Sequence, residues 1–118
     1  MERRQQTALN DGVVTIYSVE NAAEPGKKPR ERLVKKGQLR FERRTVGIQR
    51  HYTALQAYAR VDLLLRVPYV KDVSTQDIAV PTLDGKQYRI DLIQTIRDTV
   101  PLMMDLTLKR LERDYDTT

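Results

Sequence analysis

The chain has 118 residues, 40% of them hydrophobic and 31% charged, with a formal net charge of +5. It contains no cysteine and a single histidine, which excludes a disulfide framework, a zinc ribbon, an iron–sulfur site, thiol chemistry and a histidine-rich metal centre. No apolar run approaches the roughly 18 residues that a membrane-spanning helix requires, and the opening Met1-Glu2-Arg3-Arg4-Gln5-Gln6, with no apolar stretch behind it, predicts no secretory signal.

At this length one domain, 1–118, is expected. Polar tails at 1–11 and 112–118 are expected to be flexible. Gly12 opens Val13-Val14-Thr15-Ile16-Tyr17-Ser18-Val19. That run is dense in β-branched and aromatic residues and follows an Asp-Gly breaker, so it reads as a strand. Residues Glu20 to Gly37 hold two prolines, many charges and few large apolar side chains. Such a stretch buries too little surface to order itself, and a long exposed loop is expected over 20–37. Leu39-Arg40-Phe41-Glu42 alternates and reads as a short second strand.

The spacing then predicts a helix over about 45–58. Ile48, Tyr52, Leu55 and Ala59 recur at i, i+4, i+7 and i+11, one apolar stripe on one face. The second half reads as strands. Val61, Leu63, Leu65 and Val67 alternate with Asp62, Leu64 and Arg66 and end at Pro68. Ile78-Ala79-Val80 stops at Pro81, and Asp84-Gly85 signals a hairpin. Tyr88, Ile90, Leu92, Gln94 and Ile96 then alternate with Arg89, Asp91, Ile93, Thr95 and Arg97. After a turn at 98–101, Met104, Leu106 and Leu108 alternate with Asp105, Thr107 and Lys109. One helix and six short strands predict an α+β chain that is mainly β: a small antiparallel β-barrel or rolled sheet with one helix and a long loop in its N-terminal half.

Charge is unevenly placed along this plan. Residues 1–60 hold 13 Lys and Arg against six Asp and Glu, whereas 61–118 hold eight against ten. The excess is concentrated in Lys27, Lys28, Arg30, Arg32, Lys35, Lys36, Arg40, Arg43 and Arg44. These nine form a basic loop that faces a protein partner or DNA, or else is simply solvated. A single-strand platform requires aromatics among the cations, and Phe41 is the only one there.

Residues for chemistry are few. All five glycines are isolated, so there is no phosphate-cradling loop. Ser18 and Ser74 are the only serines and His51 the only imidazole, which leaves no nucleophile with a base in sight. His51 reads as a helix-face residue. Asp62, Asp91 and Asp105 alternate with apolar neighbours, so they mark the wet face of the sheet more than a carboxylate metal site. Tyr52 and Tyr88 take core-facing positions with a polar tip at the rim. No catalytic residue, cofactor or metal is expected, and the chain reads as a non-enzyme.

The order of features resembles a family of bacteriophage and prophage head–tail connector proteins, the head-closure or stopper proteins, over about Gly12 to Leu111. A first strand, Val13 to Val19, precedes a long polar excursion. His51-Tyr52-Thr53-Ala54-Leu55-Gln56-Ala57 runs into a strand ending Leu65-Arg66-Val67-Pro68. Asp84-Gly85-Lys86-Gln87-Tyr88-Arg89-Ile90 matches the family's Gly-x-x-Tyr-x-Ile hairpin, and a last amphipathic strand, Met104 to Leu108, follows. The chain departs from the family in placing Gly37-Gln38-Leu39-Arg40 after the excursion rather than near the first strand. The resemblance implies a small β-barrel that forms a homo-oligomeric ring in the virion at the head–tail junction, assembled in the host cytoplasm. There it would close the DNA-filled head and dock the tail. Its partners would be further copies of itself, portal or adaptor and tail proteins, and packaged double-stranded DNA contacted without sequence specificity, with no membrane. The alternative from the residues alone is a small basic nucleic-acid-binding β-barrel, and a third is an adaptor for an acidic protein.

Overall fold

The computed structural model describes residues 9–21, 25–26, 31–45 and 62–115. Six strands follow one another: β1 (Gly12–Asn21), β2 (Glu31–Arg44), β3 (Leu63–Pro68), β4 (Ile78–Pro81), β5 (Tyr88–Ile96) and β6 (Met103–Arg110). The chain is mainly β, and no helix occurs among the described residues. The helix expected over 45–58 lies outside them apart from Thr45, and with it Ile48, His51, Tyr52, Leu55 and Ala59.

All pairings are antiparallel. The hydrogen-bonded order is β1-β2-β3-β6-β5-β4, and β4 returns to β1, so the sheet closes into a ring. Alternation supplies its interior. Val14 and Ile16 of β1, Phe41 of β2, Leu65 and Val67 of β3, Ile90 of β5 and Met104, Leu106 and Leu108 of β6 are all buried in one cluster. Each such side chain contributes about 1.5–3 kcal/mol by leaving water. Gly12 lets β1 enter close to this core. Its φ is +140°, and a Cβ there would lie 2.4 Å from Thr82 Oγ1 and 3.1 Å from a ring carbon of Phe41.

The expected loop over 20–37 is corrected. β1 continues to Asn21, and β2 already begins at Glu31. The ladder runs from Gly12↔Phe41 to Asn21↔Glu31. Backbone pairing holds this hairpin, and backbone groups pair whatever side chains they carry. Arg32, Lys35 and Lys36 hide the strand pattern in the sequence. A bulge at Lys36, between Ile16↔Gly37 and Tyr17↔Lys35, also breaks the period of two.

A second bulge corrects the alternation expected for β5. Ile90 pairs with Leu108 and Leu92 with Thr107, which leaves Asp91 as the extra residue. The face therefore switches. Ile93, not Leu92, packs on the core, and Leu92 is 49% exposed.

Asp105 does not lie on a wet face. It is 3% exposed and receives two hydrogen bonds from the guanidinium of Arg66, Nε to Oδ1 at 2.8 Å and Nη2 to Oδ2 at 3.2 Å. β3 and β6 are buried on both faces, Leu63 to Val67 and Met103 to Leu108 without a break. A polar residue among apolar neighbours thus sits in an ion pair and not in water. Asp62 and Asp91 are half-buried, and both are engaged. Asp62 Oδ2 accepts the Arg110 N–H at 2.7 Å, and Asp91 Oδ1 accepts Arg89 Nε at 2.7 Å.

Where the expected tails are described, they make contacts with the sheet. Asp11 donates its N–H to the Phe41 carbonyl and accepts the Arg43 N–H at 2.7 Å. At the other end, the Gln87 side chain clasps Tyr115. Its amide donates to the Tyr115 carbonyl at 2.9 Å, and its carbonyl accepts the Tyr115 N–H at 2.8 Å. Residues 112–115 are therefore tied to the start of β5.

Candidate functional site

The nine basic residues singled out by sequence divide three ways. Lys27, Lys28 and Arg30 lie outside the described residues. The other six lie on β2; Arg32, Lys35 and Lys36 fall where the loop over 20–37 was expected, and Arg40 falls on the short strand expected at 39–42. Two of these six are bound within the chain. Lys36 Nζ donates to Asp77 Oδ2 and to the Asp72 carbonyl, both at 2.8 Å. Arg44 Nη1 donates to Glu42 Oε1 at 2.6 Å. The Lys36 contact is structural: Asp77 also accepts the Ser74 N–H at 2.9 Å, so one carboxylate ties the turn before β4 to the bulge of β2.

Arg32, Lys35, Arg40 and Arg43 are exposed. At the usual strand rise, Arg32 to Arg43 spans roughly 35 Å. Their cross-strand partners place them on different faces. Arg40 pairs with Val13 and Lys35 with Tyr17, both directed away from the core side that Val14 and Ile16 occupy. Arg43 pairs with Leu65, which is buried in the core, so it stands at the mouth of the ring. Arg32 pairs with Glu20, opposite in parity to Tyr17. A groove that tracks phosphates presents its cations on one side, and these four do not share one.

The hairpin itself is the more distinctive feature. β4 pairs with β1 only from Val14 to Tyr17, and β3 pairs with β2 only from Glu42 to Arg44. Beyond those contacts, among the described residues, the ladder from Ser18 to Glu20 and from Arg32 to Val34 pairs only within itself. This two-stranded arm projects from the ring with both of its outer edges unpaired among the described residues. Sequence reasoning placed a partner-seeking element here but read it as a loop. The signal that could have found the strand was Leu33 and Val34 opposite Val19 and Ser18 across a turn at Pro25-Gly26.

A second surface was not anticipated. Tyr69, Val100 and Leu102 are 43%, 57% and 42% exposed, and the Tyr69 N–H donates to the Leu102 carbonyl at 3.0 Å. They form an apolar cluster where β3 ends and β6 begins. The sequence showed only a turn at 98–101. A cavity of about 290 Å³ opens between Arg43, Arg44, Thr45, Asp62, Leu63 and Leu64. Its Arg44 and Asp62 are the groups already engaged with Glu42 and Arg110.

The hairpin of the quoted motif has a closed geometry. Gly85, at φ +67°, donates its N–H to the Pro81 carbonyl at 2.8 Å. Asp84 Oδ1 accepts the Lys86 N–H at 2.9 Å, and Asp84 Oδ2 accepts the Tyr88 hydroxyl at 2.5 Å. Tyr88 is 6% exposed. Burial, with the Asp84 carboxylate beside it, pushes its phenol up to about 12. Tyr88 thus packs with its tip at the rim, as expected, and Asp84 acts as its acceptor. Among the described residues, no three His, Asp or Glu side chains come together as a metal-binding group, and no helix is long and apolar enough to cross a membrane. No protein-family model matches the chain, and no curated protein matches it.

Proposed function

We propose that this chain is a structural protein of a tailed phage or prophage, a small β-barrel that assembles into a ring at the head–tail junction. The ring would close the DNA-filled head and present a surface to the tail, with portal or adaptor proteins above it. One observation carries the reading: a closed antiparallel sheet from which a two-stranded arm projects, its edges beyond β3 and β4 taking no further strand among the described residues. A monomer normally covers or blunts such edges, whereas a ring subunit leaves them for its neighbours. The sequence resemblance supports the same reading through Gly85-Lys86-Gln87-Tyr88-Arg89-Ile90, whose Tyr88 and Asp84 close the hairpin. The exposed apolar cluster at Tyr69, Val100 and Leu102 offers a second contact surface of the kind assembly partners use. Exposed Arg32, Lys35, Arg40 and Arg43 would make weak, sequence-independent contacts if they line a DNA channel.

Electron microscopy of the purified chain tests this reading. Rings of one diameter are the expected result. Isolated particles that bind short DNA, with an affinity falling steeply as salt rises, would replace it with the nucleic-acid-binding alternative.

A further inference from the structure

The arm carries more information than its open edges. Its rungs are Ser18↔Val34, Val19↔Leu33, Glu20↔Arg32 and Asn21↔Glu31. Glu20 is the only charged side chain that β1 contributes there, and it is acidic. Within the arm β2 contributes Glu31 and Arg32, and its edge continues past the arm with exposed Lys35 and Arg40. Glu20 and Arg32 face one another across the ladder, yet among the described residues neither takes part in an ion pair. At this rung the two edges carry opposite charges, and both side chains are exposed.

We infer that the outer edge of β2 in one copy adds to the outer edge of β1 in the next copy, with Arg32 of the first beside Glu20 of the second. This rests on the ring reading above and names the contact that would build the ring. The geometry is consistent with rotation. Turning a copy about a ring axis keeps every arm pointing the same way, so an ascending β1 always meets a descending β2. Each new contact is then antiparallel, like the ladder inside the arm. The arms would form one continuous sheet in which Glu20 and Arg32 alternate at one level and Val19 and Leu33 at the next. Opposite charges directly opposed on a sheet stabilise it, and like charges destabilise it. Pairing two β2 edges about a two-fold axis is disfavoured on that ground. It would bring Arg32, Lys35 and Arg40 of one copy against those of the other. The contact is heterologous, so it closes into a ring when the rotation allows.

A charge-exchange experiment isolates this contact. Glu20→Arg and Arg32→Glu are made as separate full-length variants, and native mass spectrometry reads their assembly. Alone, each variant places like charges at every contact and is expected to remain monomeric. Mixed in equal amounts, every Arg faces a Glu of the neighbouring copy, and oligomers containing both variants are expected to return. The repulsion inside each arm is the same in the mixture, so recovery reports the contact between copies. The double variant Glu20→Arg/Arg32→Glu restores both contacts and is expected to assemble like the unmodified chain. Hydrogen exchange at Leu65 and Leu106 shows that each variant keeps its closed sheet. If both single variants assemble as well as the unmodified chain, or if neither the mixture nor the double variant recovers, this pairing is overturned while the ring stands. An unmodified chain that stays monomeric overturns the ring reading itself.

Discussion

At the scale of single residues, Arg66 and Asp105 lie at the centre of the structure's polar chemistry. They are neighbours across β3 and β6, and both side chains are almost fully buried. The hydrogen bond to Asp105 holds the Arg66 guanidinium above its ordinary range, against the opposing effect of burial. Removing one partner of a buried ion pair is strongly destabilising, so Arg66→Ala, which takes the guanidinium from the buried Asp105 carboxylate, should destabilise the chain by about 3–5 kcal/mol. Replacing both with apolar residues of similar size, as in Arg66→Met with Asp105→Leu, should cost far less. Urea unfolding of the four chains of this cycle gives the comparison. Tyr88 makes a pH-dependent contribution. Its phenol titrates near 12 when folded and near 10 when unfolded, so the folded state holds its proton longer. That contribution is complete below pH 10. It is lost as pH rises from 10 to 12, by about 1.4 kcal/mol per pH unit. Thermal melts of Tyr88→Phe, compared with the parent through this window, should show a shallower loss. The burial of Tyr88 was legible in the sequence, whereas the setting of Arg66 and Asp105 was not. An aspartate alternating with Met104 and Leu106 has the pattern of a solvated face. Its partner is 39 positions away, and only the register Arg66↔Asp105 brings the two together.

At the scale of elements, legibility followed side-chain pattern. β3, β4 and β6 were readable because Leu63, Leu65 and Val67, Ile78 to Val80, and Met104, Leu106 and Leu108 declare themselves by spacing and by flanking prolines. β2 was not readable over most of its length. Ten of its fourteen residues are charged, polar or glycine, and the bulge at Lys36 shifts its face. What makes it a strand is pairing with β1, a long-range property of the backbone. The bulges at Lys36 and Asp91 act in the same way: each inserts one residue and turns the following side chains over. The Lys36–Asp77 contact gives the first bulge a role. Asp77 is 7% exposed and holds Lys36 and the Ser74 N–H together. Asp77→Ala should leave the Ser74 N–H without its acceptor and Lys36 with only the Asp72 carbonyl, and cost about 2–3 kcal/mol. It should also speed hydrogen exchange at Ser74 and at the Val73 amide, whose bond to the Val70 carbonyl belongs to the same turn. Unchanged exchange there would show that the bulge and the turn are independent.

At the scale of the whole molecule, the basic segment has changed its meaning. A net charge of +5 with a cluster of nine cations first suggested a loop laid along nucleic acid. In the folded chain, Lys36 and Arg44 serve internal contacts, and the exposed cations of β2 fall on different faces of a projecting hairpin. Charge of that kind suits the edges of an assembling sheet, where it sets register and rejects the wrong neighbour. The closed sheet protects its own edges, and among the described residues the arm is the part that stays open. The central proposal is that this open arm belongs to a subunit of a closed ring. The most direct measurement is native mass spectrometry of the unmodified chain over a concentration series. Assembly into a ring predicts one dominant oligomer, a fixed multiple of the 13.7 kDa subunit, with few intermediates. A chain that remains at the subunit mass at every concentration, or grows into oligomers of open-ended size, would contradict it.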